Sequence, residues 1–155
     1  MPTSNPVKWS AYAAVSTAMF AAADLKNLAT AAGKLSTLAA IDNTAGHQYA
    51  WIDLLIDLAT AATAGGYAEL WWIHAPDGST YESGADAVFP ARPADVIAPV
   101  RSTTDDSQRV TVGPVLFPQG LFKPLFRNSS GQSTTNTDSL TQVWFRAFDD
   151  EIVTP

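Results

Sequence analysis

The chain predicts an all-β protein: a mainly antiparallel sandwich or barrel of seven or eight strands, with one short helical segment at residues 22–30. Three observations lead there. Residues 48–58 alternate strictly, with Ala50, Ile52, Leu54, Ile56 and Leu58 on one face and Tyr49, Trp51, Asp53, Leu55 and Asp57 on the other, which is the period of a half-buried strand. Further runs of aromatic and β-branched residues follow at short intervals, bounded by turn residues. No helical periodicity separates these runs, so the strand–helix alternation of a parallel sheet is excluded.

The alanine-rich opening admits two readings. Tyr12, Val15 and Met19 recur at helical spacing, and Leu25 and Leu28 continue in the same style on alanine, the best helix former. In the other reading residues 13–20 form a small-residue strand and residues 22–30 a helical turn. Asp24 then lies in the first turn, where a carboxylate complements the helix dipole. Gly33 ends the turn and residues 34–41 resume extended chain. We adopt the second reading, because the later strands need partners.

Past the 48–58 strand, Ala64, Gly65 and Gly66 make a turn, and strands are expected at 67–74, 95–102, 108–117, 121–128 and 140–152. Pro76, Asp77 and Gly78 open a long surface loop that runs through Pro93. Pro99, Pro114 and Pro124 lack a backbone donor and are expected at edges or bulges. No Pro/Gly/Ser-rich linker divides the 155 residues, so residues 1–155 are read as a single sandwich domain with the alanine-rich segment 10–32 packed on it.

Composition narrows the function. Nine basic residues, scattered singly, and a net charge of −6 argue against a phosphate-backbone partner. The apolar stretch from Ala11 to Ala23 lacks a basic flank and is too short to span a bilayer, so a soluble, unprocessed chain without a membrane partner is expected. The chain contains no cysteine, which removes disulfides and thiolate metal sites.

Catalytic chemistry is sparsely equipped. Asp53 and Asp57 share a strand face but stand about 13 Å apart along it, too far for a working carboxylate pair. Asp149, Asp150 and Glu151 form an acidic cluster that could offer a divalent-cation site, but consecutive side chains of an extended run diverge and an oxygen cage needs more ligands, so no metal site is expected. His47 and His74 are the two histidines, and neither neighbours a nucleophile-elbow sequence. No phosphate-binding loop, dinucleotide fingerprint or zinc-ligand spacing occurs. The expectation is a protein that is not an enzyme and uses no cofactor or metal. Asn128-Ser129-Ser130 spells a glycosylation acceptor, but its expected role is a turn.

Trp71 and Trp72 are adjacent, so on a strand they face opposite sides and cannot enter the same core. One must be covered by a loop, by a partner or by nothing. Together with Tyr81 and Phe89 of the following loop they are the candidate partner-contact residues. A tryptophan beside Tyr81 would also suit the stacking of a sugar ring, which gives the alternative of a carbohydrate- or receptor-binding module.

The order of elements resembles a group of small structural proteins of tailed bacteriophages. The likeness runs through Asp24-Leu25-Lys26-Asn27-Leu28-Ala29, Ala40-Ile41-Asp42-Asn43, the strand from Tyr49 to Leu58, and Gly66-Tyr67-Ala68-Glu69-Leu70-Trp71-Trp72. It continues in Asp77-Gly78-Ser79-Thr80-Tyr81 and in Pro118 to Asn128 closed by Gly131. The resemblance implies a jelly-roll or related β-sandwich placed on the virion after assembly in the host cytoplasm. It further implies a capsid decoration or cement role, with capsid or other virion proteins as partners and a homo-oligomer, a trimer first, as the working form.

Overall fold

The structure is a computed structural model that describes residues 7–9, 16–102, 107–138 and 140–152. Among these residues the chain forms eleven strands. They are β1 (Val7–Trp9), β2 (Thr17–Ala18), β3 (Gly33–Leu35), β4 (Ile41–Asn43), β5 (Tyr49–Ile56), β6 (Tyr67–Ala75), β7 (Val96–Pro99), β8 (Gln108–Leu116), β9 (Gly120–Ser129), β10 (Gln142–Phe148) and β11 (Asp150–Ile152). The expected all-β sandwich is therefore found. Its seven or eight strands become eleven because residues 34–41 contribute to two short pieces, residues 140–152 divide at Asp149, and β1 pairs with β11. Residues 13–15 of the expected first strand lie outside the described residues.

Two sheets form the sandwich, in the orders β2-β10-β5-β8 and β3-β9-β6-β7, with β4 also paired to β9. All these pairings are antiparallel. The partners nest: β1 with β11, β2 with β10, β3 and β4 with β9, β5 with β8, and β6 with β7. The molecule is thus one long antiparallel ribbon wrapped over itself, which is the jelly-roll order once β3 and β4 count as one interrupted strand.

The core lies between the sheets. Ala50, Ile52, Leu54 and Ile56 of β5 meet Ala68, Leu70 and Trp72 of β6, Phe122 and Phe126 of β9, and Val143 of β10. The alternation read in residues 48–58 places these β5 side chains inward. Trp72, Phe117 and Phe122 pack edge to face, with ring centroids 5.1–6.2 Å apart.

The helical segment expected at residues 22–30 is absent; the chain there forms consecutive turns. The backbone groups that would close a helix bond instead to the loop before β10. Asn27 N donates to Thr135 O, Leu28 N to Thr134 Oγ1, and Thr134 Oγ1 to Leu25 O. Asn27 and Ala31 take φ of 49° and 62°, a left-handed backbone that no α-helix continues through. Asp24 does not sit at a helix start. It is buried and accepts from Ala21 N, Thr37 N and Thr37 Oγ1. Met19, Phe20 and Leu25 of the same region are buried in the core, so its described part packs on the sandwich.

The prolines follow their missing donor. Pro99 ends β7, and Pro114 sits in β8, which β5 pairs on one side. Pro124 lies in an inner strand, but Pro124 O accepts from Ser36 N, so its donor-less nitrogen faces the same side, where the neighbour breaks between β3 and β4.

Candidate functional site

Trp71 and Trp72 do point to opposite faces of β6, and both are buried at 3% exposure. Trp72 belongs to the main core. Trp71 lies on the outer face with Ile73 and Leu125, under the loop 76–95. That loop is a strap tied at several points. Phe89 packs on Trp71 at 5.4 Å between centroids, and Trp71 Nε1 donates to Arg92 O. Lys34 Nζ and Leu35 N both donate to Asp86, and Arg92 reaches Glu82, Asp95 and Trp72 O. Asp95 accepts from Trp72 N, so Arg92 and Asp95 extend the ladder beyond the start of β7.

Tyr81 and Phe89, both half-buried, join Trp71 in this covering cluster. The structure therefore brings Trp71, Tyr81 and Phe89 together and leaves Trp72 on the other side of the sheet. Neither indole presents a contact face to solvent. Lys123 Nζ stands 5.8 Å from the Tyr81 ring centroid, and the Arg127 guanidinium 4.7 Å from that of Phe89.

Open aromatic and charged groups gather instead on the outer face of the other sheet. Trp51 and Asp53 come from β5, Arg109 and Thr111 from β8, and Trp144 and Arg146 from β10. Cross-strand register sets Asp53 opposite both Thr111 and Trp144, and Trp51 opposite Arg146. Trp51, Asp53, Arg109, Thr111 and Arg146 line a shallow cavity of about 440 Å³. Asp53 accepts a two-pronged ion pair from Arg109 and a 3.0 Å bond from Thr111 Oγ1. The Arg109 hydrogen bonds hold the Asp53 carboxyl below its ordinary range, against a partial desolvation that raises it. The Arg109 guanidinium also stands 5.8 Å from the Trp144 ring, having crossed over β5.

The sequence places Trp51 and Asp53 on one strand face but does not join them to Arg109, Thr111, Trp144 and Arg146, although a signal exists. Trp51-x-Asp53, Arg109-x-Thr111 and Trp144-x-Arg146 are each i, i+2 pairs on one strand face. What the sequence lacks is the register that lays the three pairs side by side.

Asp57, His47 and Asp149 are tied up locally. Asp57 is buried and accepts from Ser107 Oγ. His47 Nδ1 lies 2.9 Å from Asp149 Oδ2, and Asp149 Oδ1 accepts from Gln48 N. Both contacts hold the Asp149 carboxyl below its usual range, the His47 bond most. The side chains of Asp150 and Glu151 lie outside the described residues. Among the described residues no group of three or more His, Asp or Glu side chains is placed to hold a metal ion. Among the described residues no helix is long and apolar enough to cross a membrane. No family model matches the chain, and no curated relative or solved structure matches it.

Proposed function

We propose that this chain is a non-catalytic structural protein of a phage particle, a capsid decoration protein that stabilises the head by binding capsid subunits. The observation that supports it best is an apolar patch at an open sheet edge. β7 is paired on one side by β6. On the outer face there, Ile97 is 55% exposed and Tyr67 38% exposed, and the exposed Pro99 stands opposite Tyr67. Glu69 sits beside them, bonded by Ser129 Oγ and paired with Arg127. An apolar centre with a polar margin is the anatomy of a protein interface.

Self-association through this patch, as a trimer, would present several copies of a head-binding surface at once. Linked copies hold a lattice more tightly than single ones. The sandwich suits that load, because its sheets are joined by a close-packed aromatic core. The reading as a phage protein rests on the resemblance of the sequence to small structural proteins of tailed bacteriophages.

The test adds purified protein to heads lacking decoration and follows co-sedimentation and the heads' melting temperature. The expected result is saturable binding and a raised melting temperature, both lost in Ile97→Asp while the variant's own fold, read by circular dichroism, persists. Heads that neither bind the wild-type chain nor gain stability from it overturn the proposal.

A further inference from the structure

We propose that the cavity on the outer face of β10, β5 and β8 binds a carboxylate-bearing sugar, with its ring on Trp51 and its carboxylate held by Arg146 and Arg109. This inference stands apart from the docking role and uses the opposite sheet.

The floor is built for a flat ligand. Trp51 lies against Gly113, where an added Cβ would fall 2.9 Å from Trp51 Cε3 and 3.0 Å from Ala50 O. The β5–β8 register shifts between Ala50 and Ile52, opposite that glycine. The indole rests against the β8 backbone at Gly113, stacks beside Phe148 at 6.4 Å between centroids, and remains half-exposed. An indole face takes the C–H face of a pyranose ring by apolar contact, and a cavity of about 440 Å³ has the size of a small-ligand site.

The polar valences left open decide the ligand's charge. Asp53 has both oxygens occupied, by Arg109 Nε and Nη2 and by Thr111 Oγ1. It acts as a positioning residue that fixes the Arg109 fork. Arg109 Nη1 and the whole Arg146 guanidinium make no hydrogen bond among the described residues, and Arg146 forms no ion pair there. The unfilled groups are therefore N–H donors carrying positive charge. Two arginines against one aspartate make the cavity locally cationic on a chain of net charge −6. A guanidinium binds a carboxylate through two parallel N–H bonds, a geometry that neutral hydroxyls do not match.

The test titrates the full chain with a hexuronic acid tetramer and, separately, with sialyllactose, following tryptophan fluorescence and heat. Controls are a neutral hexose tetramer and a tetraglutamate peptide. The expected result is saturable binding of at least one acidic saccharide, about tenfold tighter than the neutral tetramer and the peptide. Arg146→Ala should weaken it by about tenfold or more, Arg146→Lys should recover part of the loss, and Trp51→Ala should abolish it. Melting temperature reports whether each variant is folded. Absence of binding by both acidic saccharides at millimolar concentration overturns the proposal. So does equal binding of the neutral tetramer, equal or preferential binding of the glutamate peptide, or unchanged affinity in Arg146→Ala. Head binding is measured separately, so a negative result here leaves the docking proposal standing.

Discussion

Asn128 shows how single polar side chains hold the connections of this fold. It is fully buried; its Nδ2 donates to Leu28 O and Gln132 O, and its Oδ1 accepts from Ser130 N and Oγ. The glycosylation spelling is thus a structural knot whose amide is already engaged. Asn128→Ala leaves several buried groups without partners, and we predict a loss of about 1–3 kcal/mol in chemical denaturation. A variant as stable as the wild type would contradict this role. Asp77 is the exposed counterpart. It accepts from the backbone N–H of Thr80 and Ser79, which together lower its carboxyl to about 2. Its contribution to the turn is present above pH about 4 and lost as the pH falls toward 2. Carboxyl titration by NMR should find that low midpoint, and an ordinary midpoint near 4 would refute the assignment.

At the scale of elements, strands were legible where the pattern was local. Residues 48–58 predicted β5, found at Tyr49–Ile56, because alternation alone decides which side chains go inward. Residues 67–74 and 121–128 likewise match β6 and β9 closely. The segment 22–30 was misread because alanine's helix propensity is a weak term, and the bonds from Thr134 and Thr135 outweigh it. Alternation also showed that Trp71 and Trp72 part company, but not that the strap covers Trp71. Gly33 makes that cover possible: a Cβ there would lie 2.4 Å from Phe89 Cε1. We therefore predict that Gly33→Ala displaces the Phe89 ring, costs about 1–3 kcal/mol, and alters the emission of Trp71. Gly33→Ala with unchanged stability and fluorescence would show that the strap is not seated as described.

Over the whole molecule, nested pairing makes nearly every sheet contact long-range, which explains why the candidate cavity was invisible in the sequence. Trp51, Arg109 and Arg146 become neighbours because the ribbon wraps, and no local pattern records that register. The same wrapping leaves β7 at an edge with Ile97 and Tyr67 facing outward, and the docking account rests there. Sedimentation equilibrium on the purified chain tests it most directly. The account predicts a trimer for the wild type and a folded monomer for Ile97→Asp. A wild-type monomer at every concentration, or an Ile97→Asp chain that still assembles, would contradict it.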